Sequence, residues 1–258
     1  MELIPQLSVF ALSSFLSKLL IYHVSSEWHK IFRQGIPEII YVIFKTGSMM
    51  FQNRKDAAEQ LSVLLKEYKD TNAVVLGIPR GGIEIAYYLA SHLNAALSVI
   101  VSKRLAYPGH EEYDFGALCE EEVVYMRGKK HEVSDDVIRN IMEKSKTEIS
   151  HSIEYFRKGS SLPKLKDKTV IITDDAMATG VTLVPAIRLC RRLEAAKIIV
   201  AVPVAAKTFD KNLKEADEVK ILHHAESLKN VKAAYRTFKK LSDEEALSFL
   251  CNYPVSLS

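Results

Sequence analysis

Four short runs constrain this chain more than anything else in it: AVVLGI at 73–78, LSVIV at 97–101, TVIIT at 169–173 and KIIVAV at 197–202. Each is almost wholly apolar and rich in β-branched side chains. Runs this short are below the usual length of a helix, and they have no polar face to turn to water. They read as strands buried on both faces, as in parallel sheets. Parallel strands need long crossovers, and helical patterns fill the gaps between the runs. Residues 55–68 carry Ala57, Ala58, Leu61, Leu64, Leu65 and Tyr68 at i, i+3, i+4, i+7 spacing. Residues 83–93, 182–193 and 207–216 also read as helices, and 218–222 as a last short strand. The alternation predicts βαβ units, hence an α/β fold with a mostly parallel sheet flanked by helices.

The pattern changes between the second and third runs. Residues 106–113 (AYPGHEEY) gather turn formers and charges and read as a loop. Residues 115–119 and 123–126 read as the strands of an inserted β-hairpin turned at the acidic residues 120–122. Ser134 is a good N-cap with Asp135 and Asp136 in the first turn, and Ile138, Ile141, Ile149, Ile153 and Phe156 then mark a long helix to about residue 158. Ser242 and Glu245 form an S-x-x-E capping box before a final helix.

Composition sets outer limits. With 258 residues, 48% hydrophobic and 26% charged, the chain is neither a disordered polymer, a fibre nor a disulfide-stapled miniprotein. Lys plus Arg exceed Asp plus Glu by only 35 to 32, so no nucleic-acid partner is expected. Cys119, Cys190 and Cys251 are odd in number and in no metal-ligand spacing, which suits idle thiols in a reducing, cytoplasmic compartment.

The first 48 residues stand apart. From Leu3 to Val24 the only charge is Lys18, yet Gln6, Ser13 and Ser17 fall together on a helical wheel. Glu2 sits where a signal peptide would want positive charge, and no A-x-A-like cleavage site follows. Three readings stay open: a membrane or interface anchor, an accessory helix packed on the domain, or a translation start at Met49 or Met50. The expected organisation is an apolar extension over 1–48 and one domain over 49–258.

Chemistry concentrates at 170–182, V-I-I-T-D-D-A-M-A-T-G-V-T. A buried strand ends in two adjacent carboxylates, a turn of small residues follows, and a helix begins. Asp174 and Asp175 could accept hydrogen bonds from a pair of vicinal hydroxyls. The turn formed by Ala176, Met177, Ala178, Thr179, Gly180, Val181 and Thr182 presents backbone N–H groups and a helix N-terminus, which suit a phosphate. Thr179 and Thr182 add hydroxyls, and Gly180 lets the backbone come close. The whole reads as a socket for a phosphorylated ribose. Arg80 and Lys103 each follow a buried strand, so both are expected to point into the same crevice.

This stretch resembles the phosphoribosyl-pyrophosphate motif of the type I phosphoribosyltransferases. The likeness extends over about 51–250, to a bacterial and archaeal subgroup of undefined substrate. Phe51, Asn53, Arg54 and Ala57 are similar to its opening, and Pro79-Arg80-Gly81-Gly82 to its P-R-G-G turn. Ser102-Lys103-Arg104-Leu105 with Pro108-Gly109 resembles its R-K-L-G-x-P-G segment, with Ala106 replacing a glycine. Glu112, Gly116-Ala117 and Glu120 resemble the segment after it, and 235–238 with 242–245 its close. The resemblance implies that Asp174 and Asp175 contact the ribose hydroxyls, that 176–182 holds the 5′-phosphate, and that Arg80, the Gly81 N–H, Lys103 and Arg104 meet pyrophosphate. It gives catalytic weight to Asp174, Asp175 and Lys103.

The implied reaction moves a 5-phosphoribosyl group from phosphoribosyl pyrophosphate to a nucleobase or related nitrogen nucleophile. Mg²⁺ would ride on the substrate's own oxygens, with no protein metal site. The 106–113 loop would be mobile and close over the site, and the assembly would be a homodimer. One departure bears on the acceptor: where the 6-oxopurine branch has an aspartate as proton acceptor, this chain has Ala178, which argues against hypoxanthine or guanine. His110, Glu111 and Glu112 are candidate bases by location only. The alternative function is a regulator on the same fold that senses a phosphoribosyl ligand or nucleotide without turnover.

Overall fold

The structure, a computed structural model, describes residues 51–127, 134–225, 228 and 231–254. The 1–48 extension and its expected boundary lie outside the described residues. Along the chain come α1 (Arg54–Leu64), β1 (Ala73–Gly77), α2 (Gly81–Leu93) and β2 (Ala96–Val99). Then follow β3 (Ser102–Tyr107), β4 (His110–Cys119), β5 (Val124–Met126) and the long α3 (Asp135–Arg157). The chain continues through β6 (Thr169–Thr173), α4 (Leu183–Arg192), β7 (Lys197–Ala206), β8 (Glu218–Ala225) and α5 (Asp243–Cys251).

The main sheet has the order β2-β1-β6-β7-β8, and every pairing in it is parallel. The two-residue period of a strand explains why the runs had to be apolar throughout. Val75, Ile171 and Ile199 face one side, where they pack with Ala57, Leu61, Ile85 and Leu89 of α1 and α2. Their neighbours Val74, Leu76, Val170, Ile172, Ile198 and Val200 face the other, against Val184, Ile187 and Leu189 of α4. Each such side chain, fully buried, contributes about 1.5–3 kcal/mol.

A second, antiparallel sheet runs β3-β4-β5. Leu105, Tyr107, Phe115 and Leu118 bury one face of it with Ile138, Ile149 and Phe156 of α3. Its β4–β5 pair and α3 are the inserted hairpin and long helix of the sequence reading; β3 is a strand that reading did not include. The segment 106–113 departs from that reading: it is the tip of the β3–β4 hairpin, not an open loop. Only Pro108 and Gly109 make the turn, with Gly109 at φ +73°. The alternation of Leu105 and Tyr107 into the core carries β3 onward, and register shifts on either side of Ala106 absorb the irregularity.

A second departure is at 207–216. In place of a helix, β7 runs on to Ala206 and only a 3₁₀ turn forms, over Lys211–Glu215. Asp210 starts that turn, its carboxylate accepting from Asn212 N, and its backbone N–H is tied elsewhere, to Thr179 O at 2.9 Å.

Candidate active site

The site lies where β1 and β6 end side by side. Gly77 pairs with Thr173 in register, and Ile78 N donates to Thr173 O at 3.0 Å. The two turns that follow, 78–82 and 174–182, are therefore neighbours, as expected beyond the carboxyl ends of parallel strands. They are pressed so close that side chains would not fit. A Cβ on Gly81 would lie 1.9 Å from Asp175 Oδ2, and one on Gly82 would lie 2.8 Å from Thr173 O. Both glycines are required by this approach.

The two carboxylates are held differently. Asp174 Oδ1 accepts from Asp175 N at 2.8 Å. Asp175 Oδ2 accepts from Arg54 Nε at 2.9 Å and Nη2 at 2.8 Å. Among the described residues nothing donates to Asp174 Oδ2 or Asp175 Oδ1, so each carboxylate keeps one oxygen for a ligand. Burial pushes the Asp174 carboxyl well above the usual range, and the charge of Asp175 adds to it. Burial also raises Asp175, with the Arg54 guanidinium opposing.

Arg54 is the residue that sequence reasoning left without a role. It is 5% exposed, under the carboxylates. Its Nη1 donates to Lys239 O at 2.9 Å and to Glu84 Oε2 at 3.2 Å, and its guanidinium lies 4.4 Å from the centre of the Phe238 ring. Tyr235 completes the support, its hydroxyl donating to Asp175 O at 2.6 Å. The available signal was positional: Arg54, Ala57, Ala58 and Leu61 form the buried stripe of α1, and an arginine on such a stripe must find a partner inside.

The 176–182 turn wraps the end of β7. Met177 N donates to Val204 O, and Ala206 N donates to Met177 O. Gly180 takes φ +73°, a left-handed conformation that glycine adopts at no steric cost. Among the described residues the N–H groups of Ala178, Thr179, Gly180 and Thr182 have no acceptor, while Val181 N reaches Thr179 Oγ1 at 3.4 Å. A turn of unpaired N–H groups leading into α4 has the donors that an anion would need.

The cationic side is less uniform than the sequence suggested. Arg80, joined to Pro79 by a cis peptide bond, precedes α2 and is half exposed, 3.6 Å from Asp243 Oδ1 of α5. Ser102 Oγ donates to Thr182 O at 2.7 Å, which sets one face of β3 against the 176–182 turn. Lys103 faces the opposite way and is ion-paired with Glu148 of α3. By strand alternation Arg104 shares the Ser102 face, and it is exposed. The structure thus brings Arg80, Gly81, Asp174, Asp175 and 176–182 together, keeps Arg104 on their side, and commits Lys103 to α3. His110 is exposed at the hairpin tip, opposite Tyr107; Glu111 and Glu112 lie in β4, and their side chains are outside the described set.

No group of three or more His, Cys, Asp or Glu that could hold a metal ion occurs among the described residues. Two carboxylates, one already bound by arginine, suit a magnesium ion that arrives on a ligand's phosphate oxygens.

Three comparisons bear on this geometry. The model of the phosphoribosyl transferase domain matches residues 48–236. Two curated proteins of Mycobacterium tuberculosis, provisionally named phosphoribosyl transferases (Rv0571c in strain H37Rv, MT0597 in strain CDC 1551), are 32% identical over 212 residues, 78% of this chain. That match covers 46% of their own length, so the chain spans about half of these relatives. The crystal structure of TT1426 from Thermus thermophilus superposes with a TM-score of 0.66 at 26% identity, covering 79% of this chain and 99% of that one.

Proposed function

Because the chain belongs to the type I phosphoribosyltransferase family, we propose that it transfers the 5-phosphoribosyl group of phosphoribosyl pyrophosphate to a small nitrogen nucleophile and releases pyrophosphate. One observation carries the reading. Two adjacent carboxylates, each with an oxygen to spare, stand between a glycine turn with an arginine and a socket of outward N–H groups. Those three features match, in order, the ribose diol, the pyrophosphate and the 5′-phosphate of one molecule.

In this reading Asp174 and Asp175 accept from the ribose hydroxyls and hold the ring. The N–H groups of 176–182 take the 5′-phosphate, and Arg80, the Gly81 N–H and Arg104 take pyrophosphate. Lys103 joins them only by exchanging Glu148 for the ligand. The acceptor nitrogen forms a bond to the anomeric carbon as the bond to the pyrophosphate oxygen breaks, and the electron pair leaves with pyrophosphate. Positive charge grows on the ring and negative charge on the leaving group. Asp174, Asp175 and Arg80 are placed for both, so catalysis is positioning and electrostatics. A substrate-borne Mg²⁺ would supply charge neutralisation at the pyrophosphate. Ala178 argues against a 6-oxopurine acceptor. A cytoplasmic homodimer is part of the same proposal; for its part, no helix among the described residues is long and apolar enough to cross a membrane.

A second reading has its own support. Arg80 and Lys103 are both engaged by carboxylates of this chain, Asp243 and Glu148. A protein that senses a phosphoribosyl ligand without turnover would tolerate that. Calorimetric titration with magnesium phosphoribosyl pyrophosphate tests what the two readings share. Wild type binds, and Asp174→Asn with Asp175→Asn abolishes binding while the circular dichroism spectrum stays native. Unchanged affinity in the double variant removes the carboxylates from the ribose. Pyrophosphate release with a panel of nucleobases and amines then separates enzyme from sensor.

A further inference from the structure

The 176–182 turn leaves the N–H groups of Ala178, Thr179, Gly180 and Thr182 without acceptors among the described residues, and its carbonyls need partners of their own. Two are answered here from outside the main sheet. Ser102 Oγ of β3 donates to Thr182 O, and Asp210 N donates to Thr179 O. Asp210 is itself held in a buried polar network. Its Oδ2 accepts from the Tyr125 hydroxyl at 2.8 Å and lies 3.1 Å from Arg127 Nε. Its Oδ1 accepts from Asn212 N at 2.9 Å, and Asn212 Nδ2 donates to the Tyr125 oxygen at 2.7 Å. Arg127 Nη1 goes on to Asp114 Oδ1 of β4 at 3.0 Å. Tyr125, Asp114 and Asp210 are all 5–6% exposed. The 210–215 turn also packs directly beneath the socket: a Cβ on Gly180 would lie 2.6 Å from Leu213 Cδ1.

We propose that Tyr125 and Arg127, carried by the inserted sheet, are positioning residues for the phosphate socket: they fix Asp210, and Asp210 fixes the Thr179 carbonyl behind the outward N–H groups. Neither side chain touches the ligand in this scheme. The inserted β3–β5 sheet thereby holds the socket at both ends, at Thr179 through Asp210 and at Thr182 through Ser102. The ligand half of the inference rests on the phosphoribosyl reading of the site; the positioning half does not.

The test uses the full chain and keeps the halves apart. Tyr125→Phe retains the ring and its packing and removes only the hydroxyl; Arg127→Lys retains the charge but loses the planar fork whose Nε and Nη1 reach Asp210 and Asp114 together. Amide hydrogen exchange is measured first, without ligand. In each variant the hydrogen-bonded amides around the turn, those of Asp210, Met177 and Leu183, exchange about tenfold faster, the worth of one hydrogen bond to a charged acceptor, while β1 and β6 keep their protection. Titration follows, with ribose 5-phosphate and with inorganic pyrophosphate. Ribose 5-phosphate weakens by about tenfold and pyrophosphate binds as before. Unchanged exchange at Asp210, Met177 and Leu183 in both variants overturns the proposal, as does equal weakening of the two ligands. If wild type binds neither ligand, the phosphoribosyl reading falls, and the exchange result alone decides whether Tyr125 and Arg127 position the turn.

Discussion

Arg54 occupies a place that α1 otherwise gives to alanine and leucine, and its guanidinium opposes the upward push that burial gives Asp175 beside Asp174. Two carboxylates side by side with little water are unfavourable, and one arginine on the pair does not remove the cost. Asp174 holds its proton to higher pH in the folded chain than in the unfolded one, where its ordinary value is 3.8. The folded state therefore binds more protons in that window, and stability falls as pH rises from 3.8 through the raised native value. Above it the penalty is present in full. Asp174→Asn removes the charge and keeps the oxygen that accepts from Asp175 N. The variant should melt above wild type at neutral pH, and the two should converge at about pH 4, below which wild type is neutral as well. Melting curves across pH decide this; a variant that melts lower at neutral pH would show that the carboxylate is not strained. Gly81 tests the same pair sterically. Gly81→Ala puts a methyl onto Asp175 Oδ2, so the carboxylate must swing off Arg54 or the turn must move. Overpacking of this kind costs about 1–3 kcal/mol, and ribose 5-phosphate affinity should drop by about tenfold or more, roughly what one charged hydrogen bond is worth. Calorimetry that finds full affinity would mean the turn yields without disturbing Asp175.

At the scale of elements, α5 shows how a helix start can serve a distant site. Ser242 accepts from Glu245 N, and Glu245 accepts from Ser242 N, the reciprocal box that the sequence signalled. Glu245 also pairs with Lys239, whose carbonyl accepts from Arg54. Asp243, in the first turn, reaches Arg80. Ser242→Ala leaves an unsatisfied N–H at the helix start and should lower stability by about 1 kcal/mol, or about 2–4 °C in Tm for a chain of this size. Ribose 5-phosphate affinity should hold, because Arg54 keeps its carboxylate partners. A loss of affinity with Tm unchanged would mean that the cap acts on the site and not on the helix. The hairpin β3–β4 makes a further point at this scale. Its tip reads as a loop because Pro108, Gly109 and three charged or polar residues crowd it, yet Leu105, Tyr107 and Phe115 anchor both strands against α3. Burial on one face outweighs poor strand formers at the tip.

For the whole molecule, the question is where the domain begins. Phe51 is already part of it. Its N–H donates to Ala234 O at 2.9 Å, its carbonyl accepts from Arg236 N at 2.8 Å, and its side chain is 3% exposed. Asn53 caps α1, with its side chain accepting from Asp56 N at 3.0 Å. A chain starting at Met50 keeps all of this and should fold and bind phosphoribosyl pyrophosphate as the full chain does. A chain starting at Lys55 loses the cap, the Phe51 strand pairing and Arg54, and should aggregate or melt far lower. Thermal melts and titration of the two truncations check both statements. If the chain from Met50 also melts far below the full chain or loses its ligand, residues before 50 belong to the working domain.

The amino-acid sequence by itself determined the alternating α/β architecture, because a strand buried on both faces leaves no choice but apolar residues in an unbroken run. It also determined the paired carboxylates, the glycine turn and the turn of small residues at 176–182, because each is a local run whose chemistry depends on adjacent residues. The β4–β5 hairpin and the long helix were legible for the same reason; β3 was not. Only the tertiary structure decided the partners. Arg54 and Asp175 are 121 positions apart, and Tyr125 and Asp210 are 85 apart, so no local pattern joins them. It also decided that Lys103 turns to Glu148 while Ser102 turns to Thr182, since a strand's facing is set by what packs on each side of it. The missing helix at 207–216 has the same origin. Asp210 is bound to Thr179, Tyr125 and Arg127, and those contacts outweigh a helical pattern that nothing else in the fold required.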